Sequence, residues 1–321
     1  MDITLALIIA GLIVLLIAGD LLVRGAVGLA TALKIPTLIV SLTIVAFGTS
    51  APELFVSISA VMAGNAGIAL GNIIGSNIAN IFIVLGLPAL IYPISAHVDG
   101  LARHGAIMVI ATALFAGIAY LNGAIDAKTG AMLFGGIILY IAYMWVRTSR
   151  GATKDPLIDE VAEFAAGAGT GGRSLVYIVA GLVGLPLGAH LLVTNAAALA
   201  AEFGIRQEVI GLTIISIGTS LPELATVIAA AVHRKADVAL GNVVGSNIFN
   251  ILAVGGAAGL VGTAEFSEAS LAIDIPVMAA AALIAAFYIF LRRDIGRLSG
   301  LLMCALYAGF IALIVISAGA S

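Results

Sequence analysis

Two glutamates, Glu53 and Glu223, stand 170 residues apart in nearly the same heptapeptide, GTSAPEL and GTSLPEL. Each falls in the middle of a long apolar run (36–62 and 207–232), where a charged carboxylate costs about 2.5–3.5 kcal/mol at the bilayer centre. Two such costs at matched positions imply a compensating ligand. Thr49 and Ser50 precede Glu53 by four and three residues, as Thr219 and Ser220 precede Glu223, so hydroxyls and carboxylate share a helical face. Pro52 and Pro222 have no N–H, so each frees a carbonyl about one turn earlier, and Gly48 and Gly218 ease the unwinding. In lipid, freed carbonyls persist only inside protein or around a polar cavity. The alternative is a pair of protonated glutamates that hydrogen-bond between helices; the density of oxygen around them favours a ligand.

A second duplicated motif, GN-x-x-GSN-x-x-N, follows each glutamate on the next apolar run. It supplies Asn72, Ser76, Asn77 and Asn80 in the first copy and Asn242, Ser246, Asn247 and Asn250 in the second. Residues 72, 76 and 80 are spaced by four and share a stripe, as do 242, 246 and 250. Interhelical hydrogen bonding suits Asn72, Asn77, Asn242 and Asn247 as well as ligation does. Spacing directs Ser76, Asn80, Ser246 and Asn250 toward the glutamates. A set made only of oxygen, with no thiolate and no histidine pair, selects Ca²⁺, Na⁺ or similar hard ions, and Ca²⁺ takes six to eight oxygens in a flexible shell. Two carboxylates carry −2, which one Ca²⁺, two Na⁺ or two protons neutralise. That arithmetic suits exchange.

These groups have to be positioned in lipid. Of 321 residues, 62% are hydrophobic and only 10% charged, and the mean hydropathy is +1.21, whereas soluble domains carry about 25% charged residues. With a net charge of −3 and 14 Lys and Arg there is no basic patch for nucleic acid. The one cysteine, Cys304, allows neither an internal disulfide nor a thiolate metal site. No HExxH motif, paired aspartates or serine–histidine dyad supports an enzyme, and no cofactor is expected.

Apolar runs predict ten spans, near 3–23, 36–62, 68–92, 104–121, 129–147, 175–200, 207–232, 238–262, 270–291 and 299–318. Of the 14 basic residues, all but Lys128 and Arg206 fall on the odd-numbered connections. The positive-inside rule then puts both termini outside and the central connection, 148–173, in the cytoplasm. That connection, with its AAGAGTGG stretch, reads as a linker. Residues 11–86 align with 181–256 without a gap, and 34 of the 76 positions are identical. Each half holds five spans, an odd number, so the halves must be inverted. The predicted fold is an all-α polytopic membrane protein of ten helices in two inverted five-helix repeats, 1–147 and 174–321, with the duplicated motifs at 40–86 and 210–256.

On these residues, GTS-x-PE with GSN-x-x-N in duplicate, the sequence resembles the sodium/calcium exchanger family of the cation/calcium exchanger superfamily, in a prokaryotic form without a regulatory domain. The resemblance implies a Ca²⁺/Na⁺ antiporter of the cytoplasmic membrane that works by alternating access around a midplane site. It implies Glu53, Glu223 and the carbonyls of Thr49 and Thr219 as calcium ligands. Ser50, Ser76, Ser220, Ser246 and the carbonyls of Ala46 and Ser216 would form flanking sodium positions, with Asn80 and Asn250 completing the centre. Some relatives, the potassium-dependent exchangers among them, have aspartate where this chain has Asn250, which argues against potassium co-transport. Proton-coupled Ca²⁺ exchange and a cation channel remain alternatives. The expected partners are small cations and the bilayer, with a monomeric state left open.

Overall fold

The structure, a computed structural model, describes residues 2–32, 50–98, 100–149, 172–232 and 237–319. Helix α1 (Asp2–Ala32) is followed by α2 (Ala51–Met62), α3 (Ala66–Ile91), α4 (Leu101–Asn122) and α5 (Ala127–Ser149). The second half repeats this order with α6 (Gly172–Phe203), α7 (Gln207–Thr219), α8 (Leu221–Val232), α9 (Ala239–Val261), α10 (Ser270–Phe290) and α11 (Arg297–Gly319). Among the described residues eight helices are long and apolar enough to cross a bilayer, and α7 with α8, bent by 42°, makes a ninth. The span predicted at 36–62 is described only from Ser50, so Ala46 and Thr49 lie outside the described residues, as does 150–171 of the predicted linker. The chain is an all-α polytopic membrane protein.

Helix α1 runs past its predicted end near 23 because its charges do not stop it: Arg24 Nε donates to Asp20 Oδ2 at 2.7 Å, one turn away. It packs along α6 through small residues. A Cβ on Gly11 would stand 2.8 Å from Leu192 N, and one on Gly25 would stand 2.8 Å from Ile178 N. Positions that ascend in α1 meet positions that descend in α6, so these repeat-related helices are antiparallel. That is the inversion the odd span count requires.

The connections sort onto two faces. Asn65, after α2, accepts at 2.9 Å from Nε2 of Gln207, the first residue of α7. Strand β1 (Ala124–Ile125), after α4, pairs antiparallel with β2 (Ala264–Glu265), after α9. These are all even-numbered connections. On the other face Ile94 bridges Ile295, and His97 Nδ1 meets Asp294 Oδ1 at 3.1 Å, joining the third and ninth connections. The parity agrees with the predicted order of spans. The centre belongs to α3 and α9, 83% and 94% buried along their most apolar stretch, against 28% for α5 and α11. Leu139, Leu298 and Ile316 on these outer helices are exposed and face lipid.

Candidate cation-binding site

The helix breaks at Ser220, the serine of the second GTS, and Ser50, the serine of the first, leads into α2 in the same conformation. Ser50 has φ −90° and ψ 10° and Ser220 has φ −84° and ψ 5°, each followed two residues on by proline. The break is tight. Leu54 N–H donates to Ser50 O at 3.1 Å, Leu224 N–H to Ser220 O at 3.1 Å and Ser220 N–H to Ser216 O at 3.1 Å. In the second copy the expected unwinding is therefore confined to one residue, and the Ser216 carbonyl, which Thr219 Oγ1 also reaches at 3.4 Å, has at most its second lone pair to offer. Pro222 still withholds the N–H that Gly218 O would accept in an unbroken helix.

One turn past each of these serines, Glu53 and Glu223 are fully buried. Their carboxylates are close enough to repel, and the Thr219 and Ser220 hydroxyls stand beside Glu53. Neither Glu53 oxygen has a hydrogen-bond donor in place among the described residues. The same holds for Ser50 Oγ, Ser220 Oγ, Asn80 Oδ1 and both polar atoms of Asn250, all buried. Orphaned buried oxygens are costly unless something polar meets them. Among the described residues no group of three or more His, Cys, Asp or Glu forms, so the cluster is two acids plus neutral oxygen. That composition fits a hard cation as substrate.

Packing brings the halves together crosswise. In both copies the central helix changes to a wider π turn at the last asparagine of its motif, Asn80–Val84 in α3 and Asn250–Val254 in α9, a distortion frequent at functional sites. The Asn250 turn packs on α2 and the Asn80 turn on α8, so each asparagine meets the other half's glutamate helix. No sequence signal marks these turns.

Asn72 is a hub that motif spacing left ambiguous. Its Nδ2 donates to the Glu53 carbonyl at 3.2 Å and to Ser57 Oγ at 3.0 Å. Its Oδ1 accepts from Thr219 Oγ1 at 3.2 Å, across the repeats, and from Ser76 Oγ at 3.5 Å. Ser76 thus turns to Asn72, where spacing had directed it to a glutamate; Ser246 does donate to Glu223 Oε1, at 3.4 Å. Asn80 Nδ2 donates to Asn247 Oδ1 at 3.0 Å, and Asn247 Nδ2 donates to the Asn77 carbonyl at 3.2 Å. Two residues outside the motifs were not anticipated: Tyr307 of α11, whose buried hydroxyl lies beside Ser216, and Asp274, a buried acid one turn into α10 beside Ser270.

The model of the sodium/calcium exchanger protein family matches residues 3–148 and 173–316, both halves of the chain. The chain belongs to the sodium/calcium exchanger family. Among other members, CaxA of Alkalimonas amylolytica is 38% identical over 309 residues, covering 94% of this chain and 96% of its own. The sodium/calcium exchanger MaX1 of Methanosarcina acetivorans is 30% identical over 337 residues, covering 95% and 96%. Among solved structures, the sodium-calcium exchanger NCX_Mj is similar with a TM-score of 0.65 at 30% identity, covering 97% of this exchanger-family chain and 99% of that one.

Proposed function

We propose that this protein is a secondary antiporter that exchanges Ca²⁺ for Na⁺ at the cluster between Glu53 and Glu223. The observation that carries the reading is the pair of fully buried carboxylates, one from each inverted half, ringed by buried oxygens without hydrogen-bond partners. Glu53, Glu223 and the carbonyls of Thr49 and Thr219 hold Ca²⁺. Ser50, Ser76, Ser220 and Ser246, with the carbonyls of Ala46 and Ser216, hold Na⁺ on either flank, and Asn80 and Asn250 complete the centre. The −2 of the two carboxylates is matched by one Ca²⁺ or by two Na⁺, so a site that reorients only when neutralised exchanges one cation species for another.

A cavity of about 540 Å³ supports access from one side. Leu16, Asp20 and Val23 of α1 face Pro52, Pro222 and Ile228 across it, so it runs from the two prolines along α8. That direction leads to the face holding Arg292 and Arg293, which the charge count assigns to the cytoplasm. Both termini then lie outside, and two five-helix halves, 1–147 and 174–321, are joined by a cytoplasmic linker.

In sealed vesicles an outward Na⁺ gradient is expected to drive ⁴⁵Ca²⁺ uptake. Uptake driven by a pH gradient with Na⁺ absent would replace Na⁺ by H⁺ as the coupling ion, since two carboxylates can carry two protons. Ca²⁺ flux that needs no counter-ion would point to a channel and reject exchange.

A further inference from the structure

We propose that Asn247 is a positioning residue that holds the Asn80 side-chain oxygen toward the cation, and that the two halves of the site are unequal in this respect. The inference rests on the cation-binding reading above and deepens it.

An amide side chain can present either its oxygen or its NH₂ to a cation, and only the oxygen is a ligand. Something has to choose. For Asn80 the choice is made by a chain of two hydrogen bonds that ends on a backbone carbonyl. Asn247 Nδ2 donates to the Asn77 carbonyl at 3.2 Å, and a carbonyl can only accept, so the orientation of the Asn247 amide is fixed. Its Oδ1 then faces Asn80 and accepts from Asn80 Nδ2 at 3.0 Å. Turning the Asn80 amide over would set oxygen against oxygen. Asn80 Oδ1 is therefore left on the opposite side of the amide, fully buried and with no hydrogen-bond partner among the described residues. All three asparagines are at most 2% exposed, so water does not compete for these bonds. An outer partner that orients a ligand in this way is usually worth 10- to 100-fold in cation affinity.

The repeat-related set does not do the same. Residues 170 apart pair Asn80 with Asn250 and Asn247 with Asn77. The counterpart bond would run from Asn250 Nδ2 to Asn77 Oδ1, yet both atoms lack partners among the described residues. The Asn77 amide instead donates to Ile73 O at 2.7 Å, within its own helix. The first half contributes an oriented amide oxygen and the second an amide free to turn.

The test uses the full-length protein reconstituted in vesicles, with ⁴⁵Ca²⁺ exchange and equilibrium ⁴⁵Ca²⁺ binding as the two readouts. Asn247→Leu is expected to raise the Ca²⁺ KM and the binding Kd about tenfold or more, with a smaller effect on kcat, while Asn77→Leu leaves both affinities within about twofold of wild type. Asn80→Asp supplies a cycle that a packing role would not move. A carboxylate has oxygen on both sides and needs no orienting, and one of its oxygens would face Asn247 Oδ1, so Asn247→Leu added to Asn80→Asp is expected to leave Ca²⁺ affinity unchanged or raise it, never to lower it. An equal loss from Asn247→Leu in both backgrounds would show that Asn247 acts only through packing and would overturn the inference, as would an unchanged affinity in Asn247→Leu itself. Wild-type protein that neither binds nor exchanges Ca²⁺ would instead overturn the proposed function, and this inference with it.

Discussion

Ser246 Oγ has two acceptors within reach, Glu223 Oε1 at 3.4 Å and Asn242 Oδ1 at 3.5 Å, while its repeat counterpart Ser76 donates to Asn72 Oδ1 at 3.5 Å and leaves Glu53 without that donor. The two glutamates are alike in sequence setting and burial but not in their immediate partners. Under the proposed function each nevertheless carries one of the two charges that balance Ca²⁺. Glu53→Gln and Glu223→Gln are therefore each expected to abolish Na⁺-driven ⁴⁵Ca²⁺ uptake in vesicles, because a single buried charge leaves a divalent ion uncompensated. Uptake preserved in both variants would remove the site from this cluster.

The serines should separate. A hydrogen bond to a charged group contributes about 1.5–3 kcal/mol, against about 1 for a neutral pair. Ser246→Ala is expected to shift the apparent cation affinity more than Ser76→Ala does, by at most roughly tenfold, about 1.4 kcal/mol, because the Ser246 proton is shared between Glu223 and Asn242 over long contacts. Cation titrations of exchange on the two variants check this, and equal shifts would mean that the asymmetry of the hydroxyls has no consequence.

Close helix contact predicts which glycines cannot be changed. A Cβ on Gly71 of α3 would collide with the Glu208 carbonyl and stand 2.8 Å from Leu212 N and 2.9 Å from Gly211 Cα, all backbone atoms that cannot turn aside. Gly71→Ala is expected to cost about 1–3 kcal/mol and to lower the melting temperature of the detergent-solubilised protein. Gly117 in α4 has nothing within 4 Å of its Cβ position, so Gly117→Ala is expected to be neutral or to stabilise by up to about 1 kcal/mol. Equal melting temperatures for the two variants would refute the packing argument.

The apolar runs, the odd number of spans per half and the duplicated acids made the membrane fold legible from sequence and singled out the two glutamates that the fold buries. Period and hydropathy are local signals, and a gapless repeat leaves little freedom in how its copies relate. What stayed hidden depends on contacts between residues far apart. Asn72 reads equally well as ligand or interhelical bridge until Thr219 is found on its oxygen across the repeats. Asn247 reads as a copy of Asn77, although the first bonds a carbonyl in the other half and the second a carbonyl in its own helix. The π turns at Asn80 and Asn250 have no composition of their own, because they arise from how α3 and α9 settle against α8 and α2. Tyr307 and Asp274 lie outside any motif and become notable only through burial.

Helix α5 offers a test of local electrostatics. Asp126 Oδ1 accepts from Thr129 N–H at 2.9 Å and Thr129 Oγ1 accepts from Asp126 N–H at 2.9 Å, a reciprocal cap on the helix start. The Thr129 N–H holds the Asp126 carboxyl below its ordinary value of 3.8. A carboxyl whose value is lowered by folding adds stability that is fully present above its unfolded value and is lost as pH falls through the folded one. Asp126→Asn is thus expected to speed amide exchange in the first turn of α5 by the same factor at pH 8 and pH 5, with the difference from wild type closing only in acid below the ordinary aspartate range. A difference that already varies between pH 5 and pH 8 would assign the cap to another group.

The disposition of the chain in the membrane can be read with two cysteines. Connections joined by Asn65 with Gln207 and by β1 with β2 share one face, and those joined by Ile94 with Ile295 share the other. Only Lys128 and Arg206 among 14 basic residues belong to the first set. Exposed Lys128 and exposed Arg293 therefore mark opposite sides. The native Cys304 lies within hydrogen-bond reach of Phe82 O at 3.9 Å and would confuse labelling, so Cys304→Ser is the background. In intact cells an impermeant maleimide is expected to label Lys128→Cys directly, and to label Arg293→Cys only after the membrane is permeabilised, because basic residues are retained in the cytoplasm. The reverse pattern would keep the two faces and invert the protein, placing the α1–α8 cavity toward the exterior. Labelling of both from one side would break the parity of the connections and with it the inverted arrangement of the halves.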